Sequence, residues 1–305
     1  MKEFLVISGK GGTGKTSVTA AFAALAQDMV LADCDVDAAN LHMLLEPVTY
    51  HTEEFVGSQK AVIDPNNCTN CCLCQRHCRF DAIESTNTTC FINPLGCEGC
   101  GVCSYVCPEG AIAMWDHVSG HWFLSDTRYG PLVHARLGIA EENSAKLVAK
   151  VREHAQRIAE ERQVEYIIID GPPGTGCPVI SSISGVDLAL IVTEQTVAGL
   201  HDLERVRQLA NHFGVPVMVC INKFDLDKAY TAKIENYCQE HEIEVAGRIP
   251  FDKNVIYALI KGLPAVDYET DPTSWQKSAA SAIRNVWKAV QERLQSEYLA
   301  DSCHE

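Results

Sequence analysis

Phe4-Leu5-Val6-Ile7-Ser8-Gly9-Lys10-Gly11-Gly12-Thr13-Gly14-Lys15-Thr16 decides the fold class of this chain. Its apolar start reads as a buried strand that runs straight into G-x4-G-K-S/T, the strand–loop–helix context of a phosphate-binding loop. The glycines let backbone N–H groups point at phosphate oxygens, and the following helix offers its positive N-terminal end. Lys15 then reaches the terminal phosphates and Thr16 can hold Mg²⁺. An ordinary glycine turn is the alternative, and the flanking pattern argues against it.

Working outward, apolar β-branched runs alternate with helical periodicity, the pattern of a parallel sheet covered by helices. Strands are expected at about 3–8, 29–33, 165–170, 187–193, 216–221 and 243–249. Crossover helices are expected near 15–27, 143–162, 199–212 and 227–240, and a last helix near 273–296. Six strands suffice for a doubly wound sheet. Between about 50 and 130 the alternation fails and Gly, Asn, Thr and Cys dominate, which marks an insertion.

Composition narrows the setting. The 305 residues are 47% hydrophobic and 21% charged, so a full core plus one small module is affordable. No run approaches the roughly 18 apolar residues of a membrane span, and the N-terminus enters a strand instead of a signal peptide. A formal charge of -15 argues against nonspecific nucleic-acid binding, which relies on basic side chains. Fifteen cysteines without an export signal suit a reducing cytosol, so a cytoplasmic location is expected.

Within the insertion, residues 62–83 and 91–112 are self-similar, each ending in Ala-Ile after its fourth cysteine. Cys68-x2-Cys71-x2-Cys74-x3-Cys78 and Cys97-x2-Cys100-x2-Cys103-x3-Cys107-Pro108 resemble the runs of two-cluster bacterial ferredoxins. Thiolates are the soft, anionic ligands that iron–sulfur clusters need, and in such runs the fourth cysteine reaches the other cluster. That resemblance implies cluster I on Cys68, Cys71, Cys74 and Cys107, and cluster II on Cys78, Cys97, Cys100 and Cys103. Zinc ribbons also use paired C-x2-C, but a doubled four-cysteine run suits two tetrahedral sites poorly. Arg79 replaces the expected proline after Cys78 and, with His77, is a candidate to raise the cluster II potential. Cys72 and Cys90 fall outside the spacing and read as small buried side chains.

Lys10, inside KGGTGKT, marks the deviant phosphate loop of the MinD, ParA, Mrp and nitrogenase iron-protein group, and the chain resembles a member of it. The resemblance implies a nucleotide-dependent homodimer in which Lys10 crosses to the partner's nucleotide, with the loop from Gly9 to Ser17 holding the phosphates. It further implies that Asp35, in Asp33-Cys34-Asp35-Val36-Asp37, positions the attacking water, while Asp33 and Asp37 support it. Asp170, after the apolar strand Ile167 to Ile169, would hold the hydration shell of Mg²⁺ together with Thr16 and Asp35. Lys10, Lys15, Asp35 and Asp170 thus form the implied catalytic set, acting by positioning and electrostatics. Asn222 and Pro250 match the positions that flank adenine in relatives. Asn222-Lys223-Phe224-Asp225 also resembles a guanine-reading motif; family membership favours ATP. Cys177, seven residues after Asp170, has the offset of the cluster-ligating cysteine of the nitrogenase iron protein, so it is either an extra metal or redox thiol or a buried cysteine at a helix start. The C-terminal C-x-x-C of Mrp-type carriers is missing.

The expected architecture is an α/β, doubly wound, mostly parallel P-loop NTPase core (1–57 and 117–305) with an inserted α+β ferredoxin-like module carrying two 4Fe-4S clusters (58–116). The expected function is a slow, partner-stimulated ATPase whose dimer donates electrons or clusters to a metallocluster or redox partner. A MinD- or ParA-like positioning ATPase with sensing or structural clusters is the alternative; a cobyrinic-type amide synthase lacks a glutaminase-like segment. Ile283, Val286, Trp287, Val290 and Leu294 recur at helical spacing, but the tail is acidic, so a helix packed on the sheet is expected and no stable membrane association.

Overall fold

The computed structural model describes residues 1–138, 141, 143–268 and 278–301. Its strands are β1 (Lys2–Ser8), β2 (Met29–Asp33), β3 (Val48–Ile63), β4 (Ile83–Ser85), β5 (Cys90–Ile92), β6 (Ile112–Asp126), β7 (Pro131–Leu137), β8 (Tyr166–Pro173), β9 (Leu188–Glu194), β10 (Val217–Asn222) and β11 (Glu244–Ile249). Its helices are α1 (Lys15–Leu25), α2 (His42–Leu45), α3 (Leu73–His77), α4 (Val102–Val106), α5 (Ser144–Arg162), α6 (Cys177–Ile183), α7 (Val197–His212), α8 (Lys228–Glu240), α9 (Lys253–Ile260) and α10 (Ala279–Asp301).

Nine strands form one sheet in the order β11-β10-β9-β1-β8-β2-β7-β6-β3. From β11 to β7 every neighbouring pair is parallel. β1 lies inside that run, and all its residues after Lys2 are buried, as a strand covered on both faces requires. All six expected strands are present. The expectation of six is corrected to nine, because β3, β6 and β7 also join the sheet. β3 (VTYHTEEFVGSQKAVI) is exposed over most of its length, so no apolar alternation marks it as a strand.

Two compact units emerge. The first is Met1–Thr52, Trp122–Arg136 and Ser144–Glu305, and the second is Glu53–His121 with Leu137–Asn143. In the first, Phe4 of β1, Phe22 of α1 and Trp287 of α10 meet with ring centroids 5.9 Å and 5.1 Å apart along the series. Ile283, Val286, Trp287, Val290 and Leu294 are all buried in this core, so the apolar stripe of α10 is packing surface. The expected helix start at 273–277 lies outside the described residues. Among the described residues no helix is long and apolar enough to cross a membrane.

In the second unit, β4 and β5 pair antiparallel. α3 and α4 occupy matching places in the two sequence repeats, starting after Cys72 and Gly101. Its small core contains Ala61, Cys74, Ala82, Ile83, Cys90, Cys97 and Ile112.

Candidate functional site

β1 ends at Ser8 and the chain turns through Gly9–Gly14 before α1 begins at Lys15. Gly12 and Gly14 have φ of +83° and +93°, the left-handed region that a side chain disfavours. Asn222, at the end of β10, donates from Nδ2 to the Thr13 carbonyl at 2.7 Å. A Cβ on Gly14 would lie 2.3 Å from that nitrogen. Gly14→Ala is therefore expected to cost about 1–3 kcal/mol in backbone strain and to push Asn222 off the loop. Thermal denaturation with and without ATP measures both effects.

Lys15 is only 5% exposed. Its Nζ lies 2.9 Å from Asp170 Oδ1 and 3.7 Å from Asp35 Oδ2. Asp170 is fully buried and accepts hydrogen bonds from Thr16 (2.9 Å) and Thr19 (2.7 Å). Burial works to lower the Lys15 pKa, but the carboxylates of Asp170 and Asp35 outweigh it and hold the ammonium above its ordinary range. Burial raises the Asp35 pKa against the pull of Lys15.

Asp33 stands beside Asp170 in the β2–β8 register. Its carboxylate accepts from the N–H groups of Asp35 (3.2 Å) and Leu41 (3.3 Å), which fastens both ends of the loop that carries Asp35. Burial and the neighbouring Asp170 push its pKa well up. Asp33 is thus a positioning group for Asp35.

A cavity of about 550 Å³ opens over this loop, within the usual range for small-molecule sites. Gly11, Gly12, Thr13, Gly14, Lys15, Thr16, Ser17, Asp35, Asn222 and Pro250 line it. Three expected residues do not. Gly9 packs against Asp202, where a Cβ would approach Asp202 Cβ to 2.3 Å. Asp170 sits behind Lys15 and Thr16. Lys10 is paired within its own chain, 2.6 Å from Glu194 Oε1, with Thr196 Oγ1 at 3.5 Å. Lys223, 3.6 Å from the same carboxylate, completes that cluster. Burial raises the Glu194 pKa, but the two lysines outweigh it and hold it below its ordinary range. The sequence reading missed this carboxylate, since nothing in its local spacing ties it to the loop. Asp225, last residue of the guanine-like tetrapeptide, accepts from the Phe251 N–H at 2.7 Å and does not line the cavity.

The second unit holds two further cavities. Cys68, Cys71, Cys74 and Cys107 line one, and Cys78, Cys97, Cys100 and Cys103 line the other. The two are related by the sequence repeat: a shift between Cys68 and Cys97 turns each lining residue of one into a lining residue of the other. The fourth cysteine of each run therefore sits in the cavity of the other run. Every described cysteine is free. A single tetrahedral zinc, with Zn–S bonds near 2.3 Å, would need sulfurs about 4 Å apart around one point. Among the described residues no group of three or more His, Cys, Asp or Glu is arranged to hold one ion. Each cavity is about 20 Å³, and its lining of soft thiols is the ligand type that iron–sulfur clusters use. Arg79 is exposed, with its guanidinium 5.4 Å from the Phe80 ring centroid. Cys90 is buried as expected, but it and the half-buried Cys72 line the first cavity instead of merely filling core. Cys177 opens α6 and is exposed, which removes its reading as a buried helix-start cysteine.

A family model described as the CobQ/CobB/MinD/ParA nucleotide binding domain matches residues 4–265. An uncharacterized protein of Methanocaldococcus jannaschii is 34% identical over 253 residues, covering 82% of this chain and 84% of its own length. An iron-sulfur cluster carrier protein of Pyrococcus horikoshii is 23% identical, covering 88% and 80%. Among solved structures, the septum site-determining protein MinD of Pyrococcus horikoshii, complexed with Mg-ADP, superposes with a TM-score of 0.54 at 18% identity, covering 95% of each chain.

Proposed function

The chain belongs to the CobQ/CobB/MinD/ParA family of P-loop ATPases, and from that premise we propose that it is an iron–sulfur ATPase whose nucleotide-dependent homodimer passes electrons or clusters to a metallocluster partner. The observation that carries this reading is the coexistence, in one chain, of a phosphate loop on a cavity of about 550 Å³ and two cavities lined by six and by four cysteines.

In this reading the loop amides and Lys15 bind the phosphates. Thr16 and Asp170 would hold Mg²⁺ through its hydration shell, the metal would supply charge stabilisation of the phosphates, and Asp35, held by Asp33, would align the attacking water. Asn222 and Pro250 flank an adenine. ATP is preferred over GTP because family membership favours it and Asp225, the residue that would read a guanine edge, does not line the cavity. Lys10 leaves Glu194 when a second copy presents its nucleotide. Cys68, Cys71, Cys74 and Cys107 would hold one 4Fe-4S cluster and Cys78, Cys97, Cys100 and Cys103 the other, supplying one-electron chemistry. The Mg-ADP of the Pyrococcus MinD and the carrier role in the name of the distant relative lend support. The MinD-like positioning alternative rests on family membership alone.

The chain leaves the Asp35 loop, passes through α2 and enters β3, whose residues from Glu53 onward belong to the cysteine-bearing unit. That short connection is the covalent route for coupling. Anaerobically loaded protein, first reduced with dithionite and freed of excess reductant, is expected to reduce a one-electron dye about tenfold faster with MgATP than with MgADP. Asp35→Asn should still bind ATP and should keep the difference between nucleotides for longer than wild type, because hydrolysis drops about a hundredfold and ATP persists. Equal dye reduction in both nucleotides would count against the reading.

A further inference from the structure

The two thiol cavities are repeat-related, yet they differ in their thiols at two positions. Where the second cavity has Ala61 and Gly101, the first has Cys90 and Cys72. Six thiols therefore surround the first cavity and four surround the second. The backbone marks the substitution as costly. The second repeat places glycines in left-handed conformation at Gly99 and Gly101, with φ of +64° and +75°. The first repeat keeps the same conformation at Asn70 (φ +54°) and Cys72 (φ +57°), where a side chain is disfavoured.

The costly residues make contacts. The Cys90 thiol lines the same cavity as Cys68 and Cys74, two of the four thiols assigned to it. It also lies 3.9 Å from Cys72 Sγ and 3.4 Å from Asn70 Oδ1. Cys72 Sγ lies 3.4 Å from the Asn70 carbonyl and 3.8 Å from Asn70 Oδ1. The Asn70 amide is itself fixed by donation to the Thr86 carbonyl at 3.0 Å.

Resting on the cluster reading above, we propose that Cys90, held in place by Cys72 and Asn70, is a potential-tuning hydrogen-bond donor that makes the first cluster easier to reduce than the second. A thiol proton shared with a ligand sulfur stabilises the extra negative charge of the reduced cluster more than the oxidised one, so the potential rises. The second cavity has no such donor, because Ala61 and Gly101 carry none. Charged lining does not separate the two, since Glu109 faces the first cavity and Glu98 the second. Arg79 is exposed, where solvent and salt screen it. An added electron then settles on the cluster held by Cys68, Cys71, Cys74 and Cys107.

The test exchanges the distinguishing residues for those of the other repeat. Wild type, the double variant Cys90→Ala/Cys72→Gly and the milder Cys90→Ser are loaded anaerobically, assayed for iron and titrated by EPR. The wild type should show two midpoints. In the double variant, with full iron, the higher midpoint should fall by about 59 mV, a tenfold change for one electron, and approach the lower one. Cys90→Ser, which keeps a donor, should fall less. Unchanged midpoints at full iron would overturn the proposal, showing that Asn70 keeps the thiol proton. Loss of half the iron in the double variant would also overturn it, by making these thiols ligands. Iron-free wild type would instead remove the cluster reading, and this inference with it.

Discussion

Lys15→Ala is expected to abolish tight nucleotide binding and, separately, to destabilise the nucleotide-free protein. The ammonium would make charge-assisted hydrogen bonds to phosphate, each worth about 1.5–3 kcal/mol, so affinity should fall about a hundredfold. Without nucleotide the effect is opposite in origin. Lys15 is the cation that compensates the fully buried Asp170, at 2.9 Å. Removing one member of a buried pair typically costs about 3–5 kcal/mol, because the other is left charged and unsolvated. The double variant Lys15→Ala/Asp170→Asn should regain most of that stability and none of the affinity. Chemical denaturation separates the two losses from ATP titration. A single variant that unfolds like wild type would show that the pair does not balance Asp170.

The second large effect concerns which cysteines share a cluster. Fully loaded protein should hold about eight irons, and loss of one cluster should leave about four. In the crossed arrangement Cys68 and Cys107 serve the same cavity although 38 residues of chain lie between them. Cys68→Ala/Cys107→Ala should therefore retain about four irons, no fewer than either single variant. Cys68→Ala/Cys78→Ala removes one ligand from each cavity and should retain almost none, although both residues belong to one sequence run. A sequential arrangement predicts the reverse for the two pairs. Iron counts on anaerobically purified variants decide it.

Much of this was legible in the chain. A strand running into G-x4-G-K-S/T fixed β1, the loop and α1, because glycine conformation and helix position follow from local spacing. The apolar β-branched runs located β2, β8, β9 and β10, since strands buried on both faces need them, while β11 (EVAGRI) is a partly buried edge strand. The repeat of cysteine spacing indicated the two thiol groups. β3 was not legible, because an exposed strand carries charged and polar residues that satisfy no apolar period. The pairing of Lys10 with Glu194 was equally hidden, since 184 residues separate partners that only the parallel order of β1 and β9 brings together. Asp33 was visible as a neighbour of Asp35, but its bonds to both ends of that loop form only when the chain folds back from Asp35 to Leu41. Cys72 and Cys90 looked like filler because their spacing broke the pattern, and only the folded repeat places them on a cavity.

In the proposed function, nucleotide state at the phosphate loop is felt by clusters bound in the cysteine-bearing unit of the same chain. EPR-monitored redox titration of anaerobically loaded protein, with MgATP, with MgADP and without nucleotide, tests it directly. The account predicts two clusters whose midpoints differ between the ATP-bound and nucleotide-free protein, and a Lys15→Ala variant whose midpoints ignore nucleotide. Midpoints identical in all three conditions, in protein that holds its full iron and binds ATP, would contradict it.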